Sequence, residues 1–153
     1  MSKQSSLSEV IADNAADVFL KENVGSDIFI GSDVENLIAK TAQVIYQNID
    51  DPKFLGALIN YKDKCFVVLN THQDLRARYY SAAHEMWHLA LEGSILGRQS
   101  EVIKTAATQE DFDNECAADH FAAALMLPEK IVVNTWYKYV QQQEVPNPAL
   151  AKE

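Results

Sequence analysis

Two histidines and a glutamate at fixed spacing carry the chemistry most directly: His84-Glu85-Met86-Trp87-His88 reads His-Glu-x-x-His. The run from Arg76 to Glu92 around it has the composition of a helix. At about 100° per residue, positions four apart return to nearly the same side of a helix. His84 and His88 can then hold one metal ion between them. Glu85 stands at the edge of that side, within reach of a water on the metal. Two imidazole ligands with a carboxylate as general base make the arrangement of a zinc hydrolase. A solvated helix face can carry the same three residues, so the rest of the chain has to decide.

A catalytic zinc takes three protein ligands and keeps one position open. A second helix is expected from Glu110 or Asp111 to Met126, and it carries Glu115 and Asp119. Being four apart, both carboxylates face the same way. Glu115 is the candidate third ligand. Asp119 is the candidate acceptor for the outer N–H of a ligand histidine, a bond that orients the ring and raises its basicity. The flanks (Cys116, Ala117, Ala118, Phe121, Ala122, Ala123, Ala124 and Leu125) are those of a buried helix. Buried carboxylates need partners, and a metal supplies one.

At this point the chain resembles a known family. The stretch Arg76-Ala-Arg78-Tyr79-Tyr80-Ser81-Ala82-Ala83-His84-Glu85-Met86-Trp87-His88-Leu89, then Glu115-Cys-Ala-Ala-Asp119-His-Phe121-Ala122-Ala-Ala-Leu125-Met126-Leu127-Pro128, resembles the ImmA/IrrE metallopeptidases, which are gluzincin-like zinc proteins. The likeness covers roughly residues 54–130, including the apolar strand that ends in Asn70. It implies one Zn2+ on His84, His88 and Glu115, with Glu85 as catalytic base. It further implies a regulatory role, in which a partner repressor, often of the helix-turn-helix type, is cleaved or inactivated to induce a mobile element or stress response. Trp87 departs from the pattern: the family usually has glycine there, which lets a neighbouring segment pack closely, so the fit of a substrate is in question. The family often carries a fused DNA-binding domain as well. This chain has neither the room nor the charge for one, which points to a separately encoded repressor.

Further donors stand near the motif. Tyr79, Tyr80, Arg78 and His120 are candidate contacts to the substrate or transition state, with His72 beside them. Of the adjacent tyrosines, one is expected to pack and the other to reach the cleft. His120 is turned about 100° from Asp119 and reads first as a packed or surface histidine. The same rotation makes Cys116 a poor fourth ligand. Trp136 and Tyr139 read as core.

The elements that must position these groups follow from spacing and punctuation. Ser6-Leu7-Ser8-Glu9 and Ser32-Asp33-Val34-Glu35 each fit a capping box. The first opens a helix with Leu7, Val10, Ile11, Val18 and Phe19 on one face and a stop at Gly25. The second opens a helix whose Val34, Leu37, Ile38, Thr41 and Ile45 share a face. After Asp51-Pro52, Phe54–Tyr61 and Lys64–Asn70 read as a β-hairpin whose second strand is buried on both faces. Asp74 is placed to cap the motif helix, and Gly93 to end it. Residues 94–110 read as a loop holding at most a short helix. A last helix starts at Pro128, with Ile131, Val132, Trp136, Tyr139 and Val140 on one face.

The expected class is α+β: a mainly helical zincin-like domain with a small antiparallel hairpin beside the motif helix. Residues 1–145 are expected to form one domain: scaffold helices over 1–50, a catalytic core over 51–130, a closing helix over 128–143 and a tail over 146–153. With 22 acidic against 13 basic residues and a net charge of −9, the chain is not a general binder of nucleic acid or anionic membranes. No long apolar run spans a membrane and no export segment stands near Met1, so a cytoplasmic protein is expected. Cys65 and Cys116 then read as free thiols, a disulfide between them being the alternative. Two other functions compete with the peptidase reading. One is a metal-stabilised binding module that sequesters a partner without cutting it, which Trp87 keeps in play. The other is a toxin–antitoxin component.

Overall fold

The computed structural model describes residues 6–25, 28–92, 96 and 99–144. Among these the order is α1 (Leu7–Asn23), α2 (Asp33–Ala39), β1 (Gln43–Gln47), β2 (Gly56–Tyr61), β3 (Lys64–Asn70), α3 (Leu75–Glu92), α4 (Gln99–Ala107), α5 (Asn114–Met126) and α6 (Glu129–Glu144). The class is α+β, as the patterning predicts. Gly93 and the tail, expected as a helix stop and a frayed end, lie outside the described residues.

The helix α1 starts as its sequence suggests: Ser6 Oγ accepts the Glu9 N–H at 3.3 Å. It ends at Gly25, whose φ of 119° suits only glycine and lets its N–H reach Leu20 O at 2.8 Å. Its buried face differs from the expected one. Leu7 and Val10 are exposed, and Ala12, Ala15, Ala16, Phe19 and Leu20 are buried instead. Small residues win this face because α5 offers alanines too, at Ala117, Ala118 and Ala122, and two such helices approach closely.

The second capping box does not form, since Ser32 has helical backbone angles and makes no side-chain cap. Glu35, expected to close that box, turns inward to Arg78 and Tyr46 instead. The helix α2 is also shorter than its apolar spacing suggests. Ile45, expected on its face, belongs to β1, where it lies opposite Val68. Val44 and Ile45 are β-branched and gain a full ladder of bonds along β3, which outweighs helical periodicity.

The sheet therefore has a strand more than the predicted hairpin. Its order is β1-β3-β2, with β1 parallel and β2 antiparallel to β3. Being central, β3 is covered from Val67 to Asn70, as its continuous apolar run predicts. Lys62 and Asp63, both at positive φ, make the tight turn between β2 and β3. The outer edge of β2 has no strand partner among the described residues.

Below the sheet, α3 buries Ala82, Ala83, Met86, Trp87 and Ala90 against α5, the stripe opposite its histidines. The segment expected as a loop with at most a short helix holds α4, whose Ile103 is fully buried. The last helix corrects another expectation. Among the described side chains of α6 only Ile131 is buried, whereas Trp136 and Tyr139, expected in the core, are 61% and 55% exposed and stack on each other.

Candidate metal centre

The two helices that carry the chemistry are anchored at their starts. Asp74 Oδ1 accepts the Ala77 N–H at 2.8 Å and opens α3. Asp113 does the same for α5, accepting the N–H groups of Glu115 and Cys116 at 3.1 Å each. The helix thus begins after Asp113 rather than at Glu110 or Asp111, because Asp113 has the capping geometry. The Asp113 N–H is itself held by Ser8 Oγ of α1 at 2.9 Å. These caps fix the first turn of α5, where Glu115 lies.

Across the gap between the helices, Glu115 meets both rings. Its Oε1 lies 3.4 Å from His84 Nε2 and its Oε2 lies 2.6 Å from His88 Nε2. One ligand atom from each of the three residues lies within 4.8 Å of the others. Donors at zinc bond lengths and tetrahedral angles stand about 3.3 Å apart, so these residues fit such an ion after small side-chain shifts. Asp119 Oδ1 lies 2.9 Å from His84 Nδ1. That contact leaves Nε2 of His84 turned toward Glu115, the orientation that metal ligation needs.

Beside this trio sits Glu85, only 9% exposed. Burial raises its carboxyl pKa above the ordinary value. His84 and His88 oppose that shift, and Glu115 reinforces it. The cover over Glu85 is β2. A Cβ built on Gly56 would stand 3.1 Å from Val68 O, 3.3 Å from Leu69 Cδ2 and 3.7 Å from Glu85 Cγ. Glycine is what lets the strand lie this close to the carboxylate. The resulting cleft is about 290 Å³, lined by Lys53, Leu55 and Gly56 on one side and by Tyr80, His84, Glu85, Glu115 and Asp119 on the other.

A polar network the motifs do not reveal holds that strand in place. Asn70 is buried, and its side chain makes four bonds. Oδ1 accepts the N–H groups of Ile49 and His72, both at 3.0 Å, while Nδ2 donates to Ile49 O at 2.9 Å and Phe54 O at 2.8 Å. Gln73 Nε2 donates to Leu55 O at 2.8 Å and to Asn70 O at 2.9 Å, and Gln73 Oε1 accepts from Ser81 Oγ of α3 at 3.1 Å. The rim of the cleft is thereby tied to the helix that carries the histidines. The only sequence signal for this network is a polar residue, Asn70, closing an apolar strand.

Of the further candidates, the structure brings only Tyr80 to the cleft, where its O–H donates to Asp119 O at 3.0 Å. Burial and the Asp119 charge raise the Tyr80 pKa. Arg78 points elsewhere. Its Nε and second guanidinium nitrogen donate to Glu35 at 2.8 and 3.2 Å, with its plane over Tyr46 and Tyr79. Tyr79 is the packed member of the tyrosine pair. His120 faces Glu9 and Asp13 of α1, away from the cleft. His72 bonds Asn48 at 3.0 Å in an exposed turn.

Trp87 does not enter the cleft either. Its indole is fully buried, stacked with Phe112 at 6.4 Å and tilted on Phe121 at 5.7 Å, and its N–H donates to Asn114 Oδ1 at 3.3 Å. The two thiols are free. No helix among the described residues is long and apolar enough to cross a membrane.

The family model for the IrrE N-terminal-like domain, Peptidase_M78, matches residues 41–153. No curated protein and no solved structure matches the chain.

Proposed function

The chain belongs to the IrrE N-terminal-like family of metallopeptidase-like domains, and from that premise we propose that it is a zinc-dependent endopeptidase that cleaves a regulatory partner protein. The observation that carries this reading is the convergence of His84, His88 and Glu115 next to a buried Glu85. In the proposed site the trio holds one Zn2+, and Asp119 fixes the His84 ring. Zinc held there would supply Lewis acidity and would lower the pKa of a water toward about 7. Glu85 takes the proton of the attacking water and returns it to the leaving amine. Burial raises its pKa, which makes the carboxylate a stronger proton acceptor than an exposed one. Tyr80 turns its O–H from the Asp119 carbonyl to the developing oxyanion.

The substrate is proposed to bind as an extended segment along the outer edge of β2, which has backbone groups to offer. The proposed partner is a separately encoded transcriptional repressor of a phage, mobile element or stress response. The binding-module alternative drew on Trp87 obstructing the cleft, and the indole lies in the core instead. A purified repressor encoded beside this chain is the substrate to test. Wild type should cut it, Glu85→Gln should bind zinc but leave it whole, and His84→Ala should lose the ion. Equal inhibition of the repressor by wild type and Glu85→Gln, with no fragments on a gel, would overturn the peptidase reading in favour of sequestration.

A further inference from the structure

A second ladder of donors lies on α5, turned away from the cleft. Cys116 and His120 are one helical turn apart, as Glu115 and Asp119 are, but rotated by about 100° toward α1. The facing turn of α1 carries Glu9 and Asp13 at the same spacing. One ligand atom from each of Glu9, Cys116 and His120 lies within 4.8 Å of the others, and all three residues are half-buried. His120 has a carboxylate near each ring nitrogen, beyond hydrogen-bond distance: Nε2 is 3.8 Å from Glu9 Oε1, and Nδ1 is 3.6 Å from Asp13 Oδ1. One nitrogen thus faces the trio while a carboxylate faces the other, the relation His84 has with Glu115 and Asp119.

We infer that Glu9, Cys116 and His120 form a second metal site, for a zinc-class transition ion, with Asp13 orienting the His120 ring. The donors of a tetrahedral zinc stand about 3.3–3.7 Å apart, and the Glu9–His120 separation is already close to that. A thiolate, an imidazole and a carboxylate together select zinc, cobalt or copper over calcium and magnesium, which take oxygen ligands. Binding replaces the Cys116 thiol proton with the metal, and the proton passes to solvent. An adjoining groove of about 520 Å³, lined in part by Asp13, Asp17 and His120, gives an ion its way in. Once bound, the ion joins α1, which precedes the matched segment, to the helix that carries Glu115. The site is a clamp between two helices rather than a second catalytic centre.

Cobalt loading of the full chain tests this, because only a thiolate ligand gives an intense near-ultraviolet charge-transfer band, and the His84 centre has no sulfur. Wild type should bind about two ions per chain and show the band. Cys116→Ser and Cys116→Ala should each lose the band and about one ion while keeping wild-type helical circular dichroism. Glu9→Gln should weaken the same band. His84→Ala should lose the other ion and keep the band, so the two centres fail separately. A wild-type chain without the band, or Cys116 variants that bind as many ions as wild type, would overturn the inference.

Discussion

Replacing Asp119 by alanine isolates the contact on which the orientation of His84 depends. The 2.9 Å contact between Asp119 Oδ1 and His84 Nδ1 is charge-assisted, and such bonds contribute about 1.5–3 kcal/mol when shielded from water. The Asp119 side chain is 61% exposed, so water recovers part of that, and the lower end of the range applies. At about 1.4 kcal/mol per tenfold, zinc should bind Asp119→Ala roughly 10-fold more weakly, the low end of what loss of a ligand-supporting bond does. Asp119→Asn keeps an acceptor and should fall between the two. The substitution leaves the backbone carbonyl that Tyr80 uses, and alanine favours the helix. Competition against a chromophoric chelator gives each Kd. An Asp119→Ala chain with wild-type zinc affinity would refute the claim that this carboxylate orients the ring.

Three further outcomes follow from the packing. Trp87→Ala removes a fully buried indole and orphans the Asn114 acceptor, and should lower unfolding free energy in urea by about 3–5 kcal/mol. A loss under about 1 kcal/mol would mean that the ring is not core. Gly56→Ala places a methyl 3.1 Å from a backbone oxygen and against Glu85, so stability should drop by about 1–2 kcal/mol in the same assay, and peptidase activity should fall with it. The Tyr46 pKa is raised above 10.0 by burial and by its bond to Glu35. Above pH 10.0 the unfolded chain gives up this proton before the folded one does, so that part of the stability is lost as pH rises. Tyr46→Phe should flatten the alkaline limb of a stability–pH curve, and an unchanged limb would remove Tyr46 as its source.

What the sequence makes legible is local or periodic. Two histidines four apart, Glu115 and Asp119 four apart, and an apolar strand ahead of the motif all point to geometry that the structure has. The hairpin is read correctly for the same reason. What it hides depends on partners distant in the chain. Ile45 fits a helical face, and only pairing with Val68 makes it a strand residue. Glu35 fits a capping box, and only the approach of Arg78 draws it inward. Arg78 and His120 look available to a substrate until the elements that occupy them are in place. Trp136 and Tyr139 have core periodicity, yet nothing among the described residues buries them. Asn70 cannot announce four bonds whose partners come from two separate loops.

The seam between α1 and α5 sets where this protein can be cut. The family match begins at residue 41, after α1 has ended. Yet Ala12, Ala15 and Ala16 have no exposed surface, and Ser8 holds the N–H of the residue that caps α5. A chain begun at the family boundary would bare the alanine side of the ligand-bearing helix to water and free the turn that aims Glu115. The segment ahead of the matched portion thus backs the helix that carries Glu115, and trimming to the shared portion would cost that side chain its alignment.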